Sequence, residues 1–343
     1  MSRLTAGAPL EPAARPVGRR TVHFVDAARD NRALTADVWY PATSSAAERT
    51  SYELFPGVAF EAATAQHEPP VAAGRYPLVL LSHGRTGMRI SYSMVCEALA
   101  ARGAVVVSAD HPGDALLDWM LGQHADDRTN EVNRVADAHF LLTALLGEHP
   151  LVSSDLRAAI DPEQVVLAGH SYGAYTAFAT AAGSRGVEAH PSVKAIVGFQ
   201  SYTRSMSEGL LGRITTPSML VVSLADGVTP PHVDADRPWA LLRGQPTWRL
   251  DLAGAGHQAI SDIALYAELA PHVPGLPDMV RDYLHATAEG SQFAAGRTWR
   301  ELQALQVQAM WAFLQVTLGL DAAAGLATAE QLANTDGVTL SRR

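Results

Sequence analysis

The sequence predicts an α/β fold: a mostly parallel sheet of about eight strands with helices on both faces and a small cap. Short apolar segments without polar interruption alternate with helical stretches along most of the chain. Strands that are apolar on both sides are typical of a parallel sheet covered by helices on both faces. Two strands near the start are joined by a polar turn, which favours an antiparallel edge.

The strands predicted from these patterns cover residues 21–27, 33–40, 76–83, 104–110, 164–168, 193–198, 217–224 and 247–252. Helices are predicted over residues 91–102, 129–146, 171–182, 239–243 and 300–318. Glycine or a polar turn closes most of these segments, as expected where a chain leaves a regular element. The alternation continues through most of the chain, so we expect a single domain.

That domain is predicted to span residues 21–320 of the 343. Residues 1–20 are expected to form a flexible N-terminal arm, and residues 321–343 a C-terminal tail. Residues 43–74 show no clear period and are interpreted as a surface excursion. Residues 262–299 carry three prolines among apolar residues and are interpreted as the small cap over the site.

Composition argues against several classes of protein. The formal net charge is −9 and no basic stripe is present, so nucleic-acid binding is not expected. No apolar run approaches the roughly 18 residues that a membrane helix needs. Residues 1–20 lack the apolar core of a signal peptide, so a cytoplasmic location is predicted. Cys96 is the single cysteine, which rules out an intrachain disulfide.

A metal site is also not expected. The candidate ligands at two neighbouring strand ends lack the compact spacing of metal-binding motifs; they are His83, Asp110, His111 and Asp114. Turn and supporting roles explain them better. The sequence does not indicate an oligomeric state.

Residues 169–173 read Gly-His-Ser-Tyr-Gly and match the pattern G-x-S-x-G. The pattern alone is weak, but here it follows a predicted strand and opens a predicted helix, which is the context that it requires. The glycines at positions 169 and 173 allow a tight, strained turn at Ser171, and the helix N-terminus favours an anion at that point. Ser171 is therefore the candidate nucleophile.

Serine needs a base to act as a nucleophile near neutral pH. With this turn the chain order is serine, then acid, then histidine. His257 follows the last predicted strand in Gly254-Ala-Gly-His, and Asp226 directly follows the penultimate strand. We therefore predict His257 as the general base and Asp226 as the acid that orients it. Three other aspartates are weaker candidates for that acid: Asp234, Asp236 and Asp251.

Stabilising an oxyanion requires preorganised N–H donors. One is predicted to be the backbone N–H of Tyr172, directly after the candidate nucleophile. The other is predicted to be the backbone N–H of Arg85, in the loop that follows the first parallel strand. Gly84 allows that loop to turn inward.

These motifs resemble a known family. The segment from Asp26 to Ala42, Leu80-Leu-Ser-His-Gly84, Asp110-His-Pro-Gly113, residues 169–177 and Gly254-Ala-Gly-His257 are similar to bacterial hydrolases related to platelet-activating factor acetylhydrolase, also described as predicted dienelactone hydrolases. These belong to the α/β-hydrolase superfamily. The resemblance covers roughly residues 21–320. It implies a cofactor-free esterase or lipase-like enzyme that acts on a small-molecule ester through Ser171, Asp226 and His257. It also places the oxyanion donors at Arg85 and Tyr172.

The sequence departs from the resemblance at two points. Dienelactone hydrolases proper use a cysteine nucleophile, whereas position 171 is serine. The loop after Gly84 carries Arg85 and Arg89 instead of apolar residues, which suggests a substrate with an anionic group. The candidate pocket residues lie near strand ends or in loops; they are Arg89, Tyr92, Trp119, Phe199 and Tyr202.

Three functions are consistent with this sequence. The leading hypothesis is hydrolysis of a carboxylic ester, thioester or lactone through an acyl-enzyme. Acyl transfer would use the same residues, with an alcohol or amine in place of water. A non-catalytic, ligand-binding member of the fold is the third, and the presence of all three candidate residues argues against it.

Overall fold

A sheet of eleven strands runs through the molecule. The computed structural model describes residues 4–43, 47–289 and 296–343. The strands in chain order are β1 (Val17–Asp26), β2 (Arg32–Pro41), β3 (Arg49–Phe55), β4 (Val58–His67), β5 (Tyr76–Ser82), β6 (Val105–Ala109), β7 (Ile160–His170), β8 (Val193–Phe199), β9 (Ser218–Ser223), β10 (Thr247–Leu252) and β11 (Val338–Arg342).

The strands lie in the order β11-β10-β9-β8-β7-β5-β6-β2-β1-β4-β3. The six from β10 to β6 are parallel to one another. The strand β2 runs antiparallel to β6, and β11 runs antiparallel to β10. Because the carboxyl ends of parallel strands meet at one edge, the loops after β5, β7, β9 and β10 can converge there.

Helices cover both faces of the sheet, as predicted. They are α1 (Ser93–Arg102), α2 (Leu116–Met120), α3 (Asp127–Leu146), α4 (Ser154–Ala159), α5 (Tyr172–Ala182), α6 (Glu208–Leu211), α7 (Pro231–Asp234), α8 (Asp236–Leu241), α9 (Ile263–Leu269), α10 (Asp278–Glu289), α11 (Trp299–Thr317) and α12 (Ala322–Ala333). Alternate residues of β5 face opposite layers: Val79 packs in the cluster that contains α1 and α11, and Leu78 in the one that contains α3 and α5.

Local signals explain where the main helices begin and end. Asp126 caps α3 by accepting a hydrogen bond from the Thr129 N–H at 3.0 Å. Thr298 and Glu301 form a capping box at the start of α11. At the end of α1, Gly103 adopts φ 109°, which a residue with a side chain rarely does.

The sheet has eleven strands and not the predicted eight. Two of the additional strands, β3 and β4, come from the segment that was interpreted as a surface excursion, of which residues 44–46 lie outside the described residues. The buried side of β4 consists largely of alanine, for example Ala62 and Ala65, so it lacks the β-branched signal of a strand. The prediction for this segment was wrong because pairing with neighbouring strands outweighs weak local propensity.

The chain termini are more ordered than predicted. The strand β1 already begins at Val17, and Ala6 is fully buried with its N–H donating to the Glu61 carbonyl at 2.8 Å. Residues 4–20 are therefore not a flexible arm; residues 1–3 lie outside the described residues. The predicted tail forms α12 and β11, and β11 pairs Leu340 with Leu250 of β10.

The predicted cap segment contains α9 and α10, while residues 290–295 of it lie outside the described residues. The Tyr266 hydroxyl of α9 donates to the Ile90 carbonyl at 3.0 Å, which attaches this helix to the loop before α1. The helix α10 exposes large side chains, with Met279 78% and Tyr283 61% exposed. Coverage of the site by this segment stays a prediction. Within the described ranges, no helix is long and apolar enough to cross a membrane.

Candidate active site

Ser171 occupies a sharp bend between β7, which ends at His170, and α5, which begins at Tyr172. Its backbone has φ 55° and ψ −119°, a conformation that costs a non-glycine residue about 1–3 kcal/mol. Hydrogen bonds hold the bend: the Ser171 N–H donates to the Phe199 carbonyl at 2.9 Å, and the Ser171 carbonyl accepts from the Tyr202 N–H at 3.0 Å. The bend lifts the hydroxyl out of the sheet at its carboxyl edge.

Two glycines allow this bend because the backbone packs closely around it. A Cβ atom at Gly173 would lie 1.9 Å from the Ser82 carbonyl oxygen of β5. A Cβ at Gly169 would lie 2.2 Å from the Gly173 carbonyl carbon and oxygen. The G-x-S-x-G spacing is therefore required by backbone contacts across the bend and to the neighbouring strand.

The structure brings Ser171, His257 and Asp226 together. The Ser171 Oγ lies 3.0 Å from Nε2 of His257. The Nδ1 of the same ring lies 2.7 Å from Oδ2 of Asp226. Asp226 follows β9 and His257 follows β10, and these two strands are parallel neighbours in the sheet. Their loops therefore place His257 and Asp226 side by side next to Ser171.

Asp226 is 5% exposed and accepts several hydrogen bonds. The backbone N–H groups of Val228 and Thr229 each donate to its Oδ1 at 2.8 Å. The Thr229 hydroxyl donates to Oδ2 at 2.6 Å and also lies 3.2 Å from Nδ1 of His257. Burial by itself would raise the pKa of Asp226, but the hydrogen bonds from His257 and Thr229 outweigh it, and the pKa lies below its ordinary value. The carboxyl group is therefore held ionised beside the imidazole.

The weaker candidates for the acid have other partners. Asp234 accepts hydrogen bonds from the backbone N–H groups of residues 203 and 204 and pairs with Arg204. Asp236 and Asp251 both pair with Arg249, at 2.6 and 2.8 Å. Asp226 is the one of these four that contacts His257.

The loop after β5 lies directly against Ser171, the candidate nucleophile. A Cβ at Gly84 would lie 3.3 Å from the Cβ of Ser171. The Gly84 N–H donates to the Tyr92 hydroxyl at 3.1 Å. Within the part of the chain that the structure describes, the backbone N–H groups of Arg85 and Tyr172 donate to no protein acceptor. Two such N–H groups beside a serine hydroxyl are what an oxyanion site needs.

His170 connects this loop with the loop that carries His257. Its Nε2 lies 2.8 Å from the His257 carbonyl, and its Nδ1 lies 2.9 Å from the Tyr92 hydroxyl. A carbonyl can only accept, so the His170 proton lies on Nε2, and Tyr92 donates to Nδ1. Burial, and then the nearby His257, lower the pKa of His170 to about 3, which keeps the ring neutral. His170, the residue before the candidate nucleophile, thus positions the backbone of the candidate base.

Two of the predicted pocket residues, Tyr202 and Trp119, lie near the side chains of Tyr172 and Arg85, respectively. The Tyr202 ring packs edge-on against the Tyr172 ring at 5.5 Å between centroids. Trp119 stacks on His124 at 3.8 Å, and its indole N–H donates to Asp114 at 3.0 Å. Both side chains are partly exposed, so both remain available to a bound molecule.

Three other pocket predictions do not fit their surroundings. Phe199 is 1% exposed and lies in the hydrophobic core, and Tyr92 is 2% exposed and holds the loop described above. Arg89 donates to Asp110 at 2.5 Å and lies 3.3 Å from Asp37. These residues follow strand ends in sequence, but their side chains turn into the core or toward carboxylates.

The arginines after Gly84 are both neutralised by carboxylates. Arg85 pairs with Asp127 at 2.7 Å and lies 3.9 Å from Asp114, while two carboxylates face Arg89. The expectation of an anionic substrate rested on these two charges. The pairing removes its basis, because a paired guanidinium offers little net attraction to another anion.

The histidines that suggested a metal ligand set have other partners. His83 accepts the His111 N–H on Nε2 at 3.1 Å, and Nδ1 of His111 lies 3.0 Å from Asp137. Burial lowers the pKa of both rings, followed by the charge of Arg134. Among the residues that the structure describes, no group of three or more histidine, cysteine or acidic side chains is arranged to hold a metal ion.

Sequence reasoning missed three residues that shape the site: Thr229, His170 and Arg134. Thr229 had a usable signal, since a hydroxyl three residues after an aspartate often closes a turn on its carboxylate. Arg134 had none, because a single arginine in the middle of a predicted helix normally faces solvent.

Comparisons with known proteins agree with this architecture. The family described as Chlorophyllase matches residues 65–207, less than half of the chain; this stretch contains Ser171 but neither Asp226 nor His257. A solved structure of a ferulic acid esterase from Streptomyces cinnamoneus superimposes with a TM-score of 0.68. It is 24% identical, and the match covers 92% of this chain and 93% of that one. The topology of the sheet, the bend at Ser171 and this superposition together establish that the chain has the α/β-hydrolase fold.

Proposed function

We propose that this protein is a serine hydrolase that cleaves carboxylic esters through an acyl-enzyme. The observation that carries the proposal is the continuous chain from Ser171 Oγ through His257 to Asp226, with separations of 3.0 and 2.7 Å. These distances lie within the range at which a nucleophile, a general base and an orienting acid work as a unit. The similarity in fold to a ferulic acid esterase supports the same class of reaction.

Acylation begins when Ser171 Oγ attacks the ester carbonyl carbon while its proton passes to Nε2 of His257. The carbonyl π electrons move onto the oxygen, which becomes an oxyanion. The intermediate then collapses: the bond to the leaving oxygen breaks, and that oxygen takes the proton from Nε2. Alcohol departs, and the acyl group remains on Ser171 as an ester.

Deacylation repeats the sequence with water as the nucleophile. Water gives a proton to Nε2 of His257 as its oxygen attacks the acyl carbon. Collapse breaks the bond to Ser171 Oγ, which recovers the proton, and a carboxylic acid is released. During both halves the ionised Asp226 stabilises the imidazolium and keeps Nδ1 protonated, because Nδ1 faces its Oδ2.

The oxyanion that forms in each half is proposed to accept hydrogen bonds from the backbone N–H groups of Arg85 and Tyr172. The second of these lies at the first residue of α5, where the helix dipole also favours negative charge. Backbone donors of this kind need no rearrangement as charge develops, and each contributes on the order of a hundredfold or more in rate.

Neutral esters are the proposed substrates. The two arginines of the oxyanion loop are paired with carboxylates, and the partly exposed side chains of Tyr202 and Trp119 at the rim are aromatic. An aromatic rim suits an acyl or alcohol group with apolar surface. Hydrolysis of p-nitrophenyl esters of increasing acyl length, alongside methyl ferulate, would define the preferred acyl group.

Fluorophosphonate labelling tests the reaction class. We expect the wild-type protein to be labelled and to hydrolyse p-nitrophenyl esters, and Ser171→Ala to lose both activities. Ser192→Ala is a matched control, because this serine precedes β8 and so lies at the opposite edge of the sheet. Product analysis with a competing alcohol separates hydrolysis from acyl transfer. Labelling that persists unchanged in Ser171→Ala would refute the proposal.

A further inference from the structure

We propose that Arg134 is a positioning residue that sets the orientation of the Arg85 N–H in the oxyanion site. This inference rests on the proposed function and deepens it, because Arg134 itself touches neither Ser171 nor His257 in the hydrogen-bond pattern. It acts through the peptide group between Gly84 and Arg85. Nothing in the position of Arg134 in the sequence, in the middle of α3, points to this role.

Arg134 is completely buried and uses its whole guanidinium group. Its Nε donates to Oδ2 of Asp114 at 2.6 Å, and Asp114 is also completely buried. Its Nη1 donates to the His83 carbonyl at 2.7 Å, and its Nη2 lies 3.2 Å from the Gly84 carbonyl. A single side chain therefore holds two consecutive carbonyl groups of the loop that follows β5.

The Gly84 carbonyl and the Arg85 N–H belong to the same peptide group. In a trans peptide these two groups point in opposite directions, so fixing the carbonyl fixes the N–H. The Gly84 oxygen has three donors: Nη2 of Arg134, Nδ1 of His83 at 2.6 Å and the Gly87 N–H at 3.1 Å. His83 carries its proton on Nδ1, since its Nε2 accepts from the His111 N–H.

A flipped peptide would be strongly disfavoured with these donors in place. It would turn the carbonyl toward the oxyanion position, where it would repel negative charge. It would also leave donors of Arg134 and His83 without an acceptor in a buried environment, which is costly for a charged group. Arg134 thus stabilises the peptide orientation that aims the Arg85 N–H away from the three donors.

The same guanidinium group also contacts the second oxyanion donor. It lies 5.1 Å from the centroid of the Tyr172 ring, whose residue provides the other N–H. The Arg85 guanidinium lies 4.7 Å from this ring, so two cations flank one aromatic side chain. Arg134 is therefore in contact with both segments that supply the oxyanion N–H groups.

Geometry, not charge, is the proposed contribution of Arg134. Its charge is balanced by Asp114 at 2.6 Å, so the pair adds little net field at the site. Lysine at this position would keep the charge but could not provide the planar fork that reaches Asp114 and two carbonyls at once. Arg134→Lys therefore distinguishes an effect of geometry from an effect of charge. Arg134→Met removes every hydrogen-bond donor of this side chain.

The test compares wild type, Arg134→Lys and Arg134→Met in ester hydrolysis and in inhibition by an aryl trifluoromethyl ketone, which forms an oxyanion on Ser171. We expect kcat of Arg134→Met to fall by about 10- to 100-fold, with KM within about threefold of wild type. A misaligned Arg85 N–H should lose part of the rate enhancement that is lost when an oxyanion donor is removed entirely. The inhibition constant should rise by the same factor. Arg134→Lys should lower kcat and raise the inhibition constant by a smaller factor. If Arg134→Met does not fold, the comparison of Arg134→Lys with wild type is the test.

Arg19→Met is the matched control. Arg19 is also buried, pairs with Asp37 at 2.7 Å and lies 4.7 Å from the ring of Tyr52, but it contacts no loop of the site. Its kcat and inhibition constant should stay within about twofold of wild type. Equal losses in the Arg19 and Arg134 variants, or unchanged values in Arg134→Lys, would overturn the inference. Absence of Ser171-dependent activity in the wild-type protein would instead overturn the proposed function itself.

Discussion

Replacing Asp262 with asparagine should change how the stability of the protein depends on pH. Asp262 is completely buried and follows the loop that carries His257. Its Oδ2 accepts from the Ser93 hydroxyl at 2.7 Å and from the Met94 N–H at 3.2 Å, while Nε2 of Gln303 lies 3.2 Å from Oδ1. These contacts join the loop to the start of α1, and no cation is among them.

Burial raises the pKa of Asp262 from an ordinary value of 3.8 to about 7, against the opposing effect of these hydrogen bonds. The folded protein therefore binds the proton more tightly than the unfolded chain does. The stability that this provides is fully present below pH 3.8 and is lost as the pH rises through about 7. Between pH 5 and pH 8, this one group should lower the free energy of unfolding by about 3 kcal/mol.

The variant Asp262→Asn lacks this titration, so its free energy of unfolding should rise relative to wild type by about 3 kcal/mol over that interval. Denaturant unfolding at several pH values measures the difference. Glu301→Gln provides a control of opposite sign, because backbone and side-chain hydrogen bonds from Thr298 lower the pKa of the exposed Glu301. For that variant, stability relative to wild type should fall as the pH rises from 3 to 6. A difference between Asp262→Asn and wild type that stays constant from pH 5 to pH 8 would refute the reasoning.

Two further predictions concern the site. Gly173→Ala should destabilise the fold by about 3 kcal/mol or more, because the added Cβ would lie 1.9 Å from the Ser82 carbonyl oxygen and would overpack the backbone. Gly209→Ala is the control, since a Cβ at that position meets no atom within 4 Å. Its melting temperature should stay within a few degrees of the wild-type value. Comparable melting temperatures for both would contradict this. Arg89→Ala should change kcat/KM by the same factor for a neutral p-nitrophenyl ester and for an ester with a free carboxylate, since Asp37 and Asp110 neutralise the arginine. A selective loss on the anionic ester would restore the idea of an anion site.

The parallel part of the sheet was predictable because each strand carries its own signal. Each strand from β5 to β9 contains an apolar run of at least three residues, whereas β10 alternates apolar and polar residues. The order of these strands determines which loops meet at the carboxyl edge. The positions of Ser171, Asp226 and His257 follow from the same logic, since each comes directly after one of these strands. Their proximity in the structure is a consequence of topology.

The edges of the sheet could not be predicted in the same way. The strand β4 has mainly alanine at its buried positions, and β11 has only five residues. Both also pair with strands that are distant in the sequence, β4 with β1 and β11 with β10. Local patterns carry no information about such partners. The same limit applies to Arg89 and Phe199, since position near a strand end does not determine the direction of the side chain.

The residues that hold the backbone of the site are the hardest to read from a sequence. The candidate nucleophile needs a reactive side chain on a tight bend, so its residue type and the glycines at positions 169 and 173 are both constrained. A backbone carbonyl, in contrast, accepts a hydrogen bond from any donor that reaches it, and here one donor comes from the middle of α3 and another from His83. Chemistry at the substrate therefore leaves a pattern in the sequence, whereas orientation of the Arg85 N–H leaves none. For this reason the kcat and inhibitor measurements on Arg134→Lys are the sharpest test of whether the geometry around the proposed oxyanion site is as important as the residues that are proposed to react.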